Sequence, residues 1–400
     1  MSTQQWFYSQ NGSVYGPFTL DVLKQMADAG LISAATQVTI AGKEQWIPLA
    51  DILSTSTEGD AATSQSTHLW GNIAGKIGSA SGLEKLEGFS VGQLFSEVFR
   101  RHTPEQIEEH FSTGTKATTP PLNVVVASWP TPWAFFRLLG VSLGAAFGFY
   151  WALSRFQNPL LIPGWMFVGC FGIPFSALVF FLEANILRNV SVYRVMALLF
   201  LGGLLSLVFS LFLFEFTKLD QWIGAIGAGP IEELGKLLAV VFFTRRWHRH
   251  HWTLNGMLFG AAVGTGFSAF ESAGYVFVSL ASGGDFGAEA TMALRAFLSP
   301  FTHTIWTSAT AAALWRVKGD LPFRWAMLAD PRFLRILVII VVLHGLWNSP
   351  LSVPVLGGYT GYFAFRLILG VVGWIIILLL IQTGLKEIRT AQAKQTPDAV

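Results

Sequence analysis

The chain has 400 residues, of which 52% are hydrophobic and 12% charged, with a formal net charge of +2 and a mean hydropathy of +0.50. Soluble domains carry roughly 25% charged residues, so a wholly soluble chain is excluded, as are intrinsic disorder, a collagen and a disulfide-stapled secreted module. A lone cysteine, Cys170, cannot form an internal disulfide.

Fifteen Trp and forty Gly point the same way, because Trp lines membrane interfaces and Gly lets membrane helices approach closely. The composition thus predicts an all-α polytopic membrane protein, to which a small soluble α+β domain is joined. Charge supports the division. Residues 1–132 hold seven Lys and Arg against twelve Asp and Glu, a balance of −5, while the rest of the chain carries +7. A dense Lys/Arg run with interleaved aromatics is missing from the soluble part, so nucleic-acid binding is not expected.

In chain order, the first thirty residues lack an apolar h-region, and no cleavable signal peptide is expected. Residues 5–9 read as a strand, Asn11-Gly12 as a turn and Gly16-Pro17-Phe18 as a second turn. A helix then carries Leu20, Leu23 and Met26 on one face and closes at Gly30, and two short strands, 38–40 and 46–49, flank Ala41-Gly42. Trp6-Phe7, Gly16-Pro17-Phe18 and Trp46-Ile47-Pro48 together resemble the bacterial GYF-type domain over residues 1–53. The resemblance implies a proline-rich peptide held by Trp6, Phe7, Gly16, Pro17, Phe18 and Trp46, since a preformed polyproline helix stacks on aromatic grooves. The competing reading makes Trp6 and Trp46 simply the core of a tiny domain.

Residues 54–89 read as a linker, rich in Ser, Thr, Ala and Gly up to residue 67. Residues 90–132 read as a juxtamembrane region, with Val91, Leu94, Phe95, Val98 and Phe99 at helical spacing and a second short helix from Thr103-Pro104-Glu105. The acidic Glu105, Glu108 and Glu109 favour packing on protein over lying on the membrane. Eight segments then approach the roughly 20 apolar residues a transmembrane helix needs: 133–153, 161–182, 195–216, 222–243, 255–280, 292–315, 335–350 and 362–385. Lys and Arg concentrate in alternate connections, at Arg188 and Arg194, at Arg245, Arg246 and Arg249, at Arg316, Lys318, Arg324 and Arg332, and in the tail from residue 386 to 400. By the positive-inside rule both termini are cytoplasmic. His248, His250 and His251 add to the second of these loops, where contact with anionic headgroups is expected.

An ionisable group inside a bilayer is expensive and marks function. Arg137, Arg295 and Arg366 lie near span ends, where snorkelling is expected, and Glu183 is expected to be solvated or to cap. Glu232, Glu233, Lys236, Glu271, His303, His344 and Asn348 remain deep. Spacing i,i+4 puts Glu232 and Lys236 on one face of the fourth span, where the ammonium keeps a carboxylate ionised. Phe267 and Glu271 repeat that spacing in the fifth span, His303 is central in the sixth, and His344 and Asn348 share a face of the seventh. Measured from each outer end, Glu232, Glu271, His303 and His344 lie at depths within roughly 8 Å of one another, so one cavity can collect them. Two carboxylates, two histidines and an asparagine around water suit peptide hydrolysis, with Glu as base and His and Asn on the oxyanion. The same set suits a zinc site or the proton path of a transporter or channel. Glu233 pairing with Lys236, and Asn348 satisfying backbone near Pro350, are the structural alternatives.

Glu232-Glu233-x-x-Lys236, Phe267-x-x-x-Glu271, His303 and His344-x-x-x-Asn348, in this order on successive spans, resemble the PrsW family of intramembrane proteases over roughly residues 130–385. That family is a relative of the CAAX prenyl endopeptidases and bacteriocin-processing membrane proteins. The resemblance implies a protease domain over 133–385 in a bacterial inner membrane, acting by site-1 type cleavage on a membrane-anchored protein such as an anti-sigma factor. It implies catalytic Glu232, Glu233, Glu271, His303, His344 and Asn348, supported by Lys236 and Phe267. It leaves open a zinc mechanism, with Glu271, His303 and His344 as ligands, and a metal-independent glutamate mechanism. Glu271 stands where the CAAX relatives carry a histidine.

Overall fold

The computed structural model describes residues 6–10, 13–28, 32–40, 43, 45–55, 73–84, 86–103, 106, 109, 111–115, 117–282 and 285–395. The expected turns at Asn11-Gly12 and Ala41-Gly42, the helix stop at Gly30, linker residues 56–72, Pro104, Glu105, Glu108 and the last five tail residues lie outside them. The chain divides into two compact units, Met1–Ile73 and Ala74–Val400.

In the first unit, β1 (Trp6–Gln10), β2 (Ser13–Phe18), β3 (Gln37–Ile40) and β4 (Ile47–Pro48) form an antiparallel sheet in the order β2-β1-β3-β4. Alternation along β1 turns Trp6 and Tyr8 inward. They meet Leu23 of α1 (Leu20–Asp28), Ile32, Val38 and Leu49 in the core. Trp6 is therefore a core residue, whereas Phe7, Phe18 and Trp46 are only part-buried and Gly16 and Pro17 are exposed. A helix α2 (Leu49–Thr55) takes up the first two residues of the expected linker.

The second unit is helical. Residues 73–81 form α3, whose Ala74, with Leu83 beyond it, is buried in the main apolar core. Residues 73–81 of the expected linker are thus helical, and Ala74, Ser81 and Leu83 are buried. In the amphipathic juxtamembrane stretch α4 (Val91–Phe95) is helical, as are residues 106, 109 and 111 among the described residues of the expected second helix; Phe95 stacks on Phe136 with ring centres 4.3 Å apart, while Phe99 is 92% exposed. Among the described residues, four helices are long and apolar enough to cross a membrane: α5 (Trp133–Phe156), α6 (Pro159–Ala184), α7 (Val192–Thr217) and, within α14 (Gly358–Gln395), residues 360–395. Four apolar spans of this kind make the chain a membrane protein. Glu183 accepts the backbone N–H groups of Ala134 (3.0 Å) and Phe135 (2.9 Å) and so caps α5.

The remaining expected spans are shorter, broken or diluted by small polar residues. The fourth is split into α8 (Leu219–Ile223), a 3-10 turn over Gly224–Gly227 and α9 (Ala228–Thr244), with Gly224 at φ 63° closing α8. The fifth is one helix, α10 (Thr253–Ala281). The sixth is two helices, α11 (Asp285–Leu298) and α12 (His303–Lys318), separated by Ser299-Pro300-Phe301. Pro300 lacks a donor and disfavours continuation of α11, and its carbonyl accepts the Trp374 indole N–H at 3.0 Å. α13 (Pro331–Trp347) ends before Asn348. α10 and α12 pack against each other, buried for most of their lengths.

Candidate active site

Two close approaches between backbones bring the polar residues together. A side chain at Gly264 of α10 would strike the His303 carbonyl, so only glycine lets the start of α12 lie against α10. A side chain at Gly229 of α9 would meet the Val341 carbonyl at 2.8 Å and the Gly345 nitrogen at 3.0 Å, which sets α9 one residue-width from His344. Glu232 and Glu233 leave α9 one turn later and reach α12 and α13.

The expected pairing of Lys236 with Glu232 is replaced. Lys236 Nζ donates to Glu233 Oε1 at 2.6 Å, an i,i+3 pair, and to His303 Nδ1 at 2.9 Å, and lies over the Phe267 ring at 4.5 Å. His344 Nδ1 donates to the same Glu233 oxygen at 2.9 Å. Glu233 is thus tied on one side by an ammonium and on the other by an imidazole, and it does not line the cavity. Glu232 does. Its side chain, 10% exposed, has Oε2 3.6 Å from His344 Nε2 and 4.0 Å from His303 Nδ1, without a hydrogen-bond partner.

His303 is the first residue of α12, not the middle of a span. Its Nε2 lies 3.1 Å from Glu271 Oε2, and Glu271 is paired with Arg295 of α11. Arg295 also donates Nε–H to Ser272 at 3.1 Å and stacks on Tyr275 at 4.3 Å. The reading of Arg295 as a snorkelling interface residue is therefore corrected; it is the counter-ion of Glu271. A basic residue i−8 from a deep histidine was the available signal. Arg366 does not snorkel either: it is buried and donates to the carbonyls of Ser349 (2.5 Å) and Leu351 (2.7 Å). Those bonds hold the chain just beyond Asn348, which occupies the C-cap of α13 rather than its face. Arg137 donates to the backbone of Val98 and Arg100. Trp306, absent from the expected set, is fully buried with its ring centre 4.5 Å from that of His344 and backs that imidazole.

These groups surround a cavity of about 370 Å³ lined by Glu232, Glu271, Arg295, His303, His344 and Asn348 among others. Glu232, His303 and His344 offer ligand atoms all within 4.8 Å of one another. The carboxylate grouped with both histidines is therefore Glu232, where Glu271 was expected. The hydrogen-bond partners assign the tautomers: with Nδ1–H given to Glu233, His344 turns the lone pair of Nε2 toward Glu232 Oε2. A lone pair facing a carboxylate oxygen is repulsive unless a proton or cation lies between them. Two imidazoles and a carboxylate are a zinc-type donor set, and they fit a divalent metal once Lys236 Nζ gives up His303 Nδ1.

Residues 163–381, more than half of the chain, match the PrsW family intramembrane metalloprotease. The chain belongs to the PrsW family. It is an intramembrane protease and hence a hydrolase, and the transporter or channel reading gives way. The matched segment starts inside α6, so α5 lies outside it. Residues 6–53 match GYF domain 2. No curated protein and no solved structure matches the chain. Within the segment matched to the family, Glu232, Glu271, His303, His344 and Asn348 share one cavity, with Glu233, Lys236 and Phe267 packed behind it. In the basic loop between α9 and α10, His250 departs from the expected headgroup contact. It is buried and held by the Asn189 carbonyl at 3.0 Å, while its own carbonyl accepts the Trp315 indole N–H at 2.7 Å.

Proposed function

We propose that this protease hydrolyses a peptide bond of a membrane-anchored protein, with Glu232, His303 and His344 as its reaction centre. The observation that carries the reading is the buried, unpartnered Glu232 Oε2 facing His344 Nε2 across the cavity. Glu232, His303 and His344 would hold the metal. A bound divalent ion such as zinc supplies Lewis-acid polarisation of a carbonyl and acidification of water.

The chain's other residues prepare those three. Glu233 accepts from His344 and Glu271 from His303, which orients each ring. Lys236 pairs with Glu233 and Arg295 with Glu271, which holds the two supporting carboxylates in place as acceptors. Asn348, on the cavity wall, offers its amide N–H groups to the oxyanion of the tetrahedral intermediate. One contact favours the metal-independent variant, in which Glu232 itself takes the proton from water: Lys236 Nζ already engages His303 Nδ1.

Eight membrane crossings, with both termini cytoplasmic in a bacterial inner membrane, accord with the alternation of basic loops. A single-span protein such as an anti-sigma factor is the proposed substrate. The GYF-type module is proposed to hold a proline-rich peptide through Phe7, Gly16, Pro17, Phe18 and Trp46, with Trp6 supporting from the core. The test is reconstitution of purified protein with a tagged single-span substrate. Cleavage is expected in the wild type and lost in Glu232→Gln and His344→Ala; unchanged cleavage in both sinks the assignment. Elemental analysis and chelator treatment of the same preparation separate the two mechanisms, since chelation abolishes only the metal route.

A further inference from the structure

A second polar cavity, of about 580 Å³, lies away from the protease site. It is lined by Thr115, Thr119, Asn189, Ser191, Arg194 and Arg249, with Leu122, Leu187 and Trp252 among its apolar walls. Thr119 spends its hydroxyl on the Thr115 carbonyl and Thr115 pairs with Thr118. Arg194, Arg249, Ser191 and Asn189 carry further N–H or O–H groups, and none of the residues lining the cavity is a carboxylate.

Arg194 is the anomaly. Part-buried guanidinium groups elsewhere reach oxygen acceptors: Arg137 and Arg366 donate to backbone carbonyls, Arg295 to Glu271 and Arg316 to the Gly82 carbonyl. Arg194, also part-buried, has a ring nitrogen of His250 at 3.3 Å and the face of Trp247 at 4.7 Å. Among the described residues its guanidinium has no side-chain oxygen partner, and neither it nor Arg249 forms an ion pair there. A guanidinium carries several donors, and leaving them unmatched in a half-buried place is costly.

The surroundings are nevertheless rigidly built. His250 is held by the Asn189 carbonyl and by Trp315, and Asn189 is locked to Asn255 (2.7 Å) and Asn185 (3.3 Å). The polar framework thus fixes a cation without supplying its anion.

We propose that this cavity binds a phosphate group, carried either by an anionic phospholipid headgroup or by a free phosphate. Guanidinium groups match the oxygens of phosphate in forked geometry. The Ser191 hydroxyl and the Asn189 N–H not given to Asn255 add neutral donors beside the guanidinium groups, and the apolar walls leave room for the glycerol end of a lipid. A basic pocket beside the ends of apolar helices is also where anionic headgroups lie.

The test titrates full-length protein in neutral detergent with inorganic phosphate, with short-chain phosphatidylglycerol and with short-chain phosphatidylcholine. Bound ligand is read by native mass spectrometry and by the shift in Tm. Phosphatidylglycerol is expected to bind at least tenfold tighter than phosphatidylcholine if a headgroup is the source, with inorganic phosphate failing to compete. Competition by millimolar phosphate assigns free phosphate instead. Arg194→Gln is expected to weaken whichever ligand binds by at least tenfold and Arg249→Gln by less, while both variants still cleave substrate, which certifies their folding. Should Arg194→Gln fail to fold, Arg194→Lys keeps the charge, loses the fork and is expected to bind several-fold more weakly. No binding by any of the three ligands, or binding unmoved in the Arg194 and Arg249 variants alike, overturns the site.

Discussion

Helices α5 and α12 are opposites. α5 is apolar and exposes most of its length, including Val141, Phe147 and Trp151, as a helix facing lipid does. α12 is buried along almost all of its length, yet carries His303, Thr304, Thr307, Ser308 and Thr310. Hydropathy therefore reports which helix meets lipid, while the most enclosed helix of the molecule is among its more polar. In a membrane the apolar medium surrounds the protein, so helix faces turned inward are free to hold hydrogen-bonding groups that packing can satisfy, such as Ser308 Oγ donating to the Met257 carbonyl at 2.9 Å.

That contrast can be broken or sharpened by substitution. Glu232→Gln removes the carboxylate facing the cavity but keeps its shape; proteolysis is expected to fall by roughly 10²–10⁴-fold with little change in thermal stability, both read on the reconstituted enzyme. Lys236→Met leaves Glu233 buried without its cation and is expected to cost about 3–5 kcal/mol in denaturant titration. Adding Glu233→Gln should restore much of that loss, and no recovery would show that the pair is not the unit of stability. Gly264→Val forces α10 from the His303 backbone and is expected to cost about 1–3 kcal/mol, with cleavage falling further than stability because His303 moves. On α5, Val141→Ala is expected to stay within about 0.5 kcal/mol and to leave cleavage intact; a large loss there would end the comparison.

The smallest effect concerns the loop before α10. Burial, opposed by the Asn189 carbonyl and assisted by Arg194, Arg249 and His251, lowers the pKa of His250 from 6.5 to about 4. Below pH 6.5 the unfolded chain takes up a proton that the folded chain refuses. Stability is expected to decline progressively from pH 6.5 to 4 through this residue. His250→Asn should flatten that slope in Tm measured against pH.

Much of the site was legible in the sequence. Charged and imidazole residues in otherwise apolar segments announce themselves by their cost, and Glu232, Glu271, His303, His344 and Asn348 do line one cavity. Other features were legible but outweighed. Pro300 signals a break, yet the apolar run from 292 to 315 reads as one span, which placed His303 at mid-helix instead of at the start of α12. Arg295 and Arg366 sit where snorkelling is plausible, and only their partners on other elements reveal a counter-ion and a backbone clamp.

By itself the sequence determined that the chain lives in a membrane, which residues are too expensive there to be incidental, and which family its motif order resembles. Tertiary structure decided the roles. Helical spacing places Glu232 and Glu233 about 100° apart but does not say what stands opposite each. Gly229 and Gly264 admit neighbouring backbones closely enough for His344, His303 and Lys236 to converge, and that convergence ties Glu233 into the protein while leaving Glu232 to the cavity. The reason is that a side chain's role depends on partners brought from distant segments, whose approach is set by packing across helices and not by the period along one.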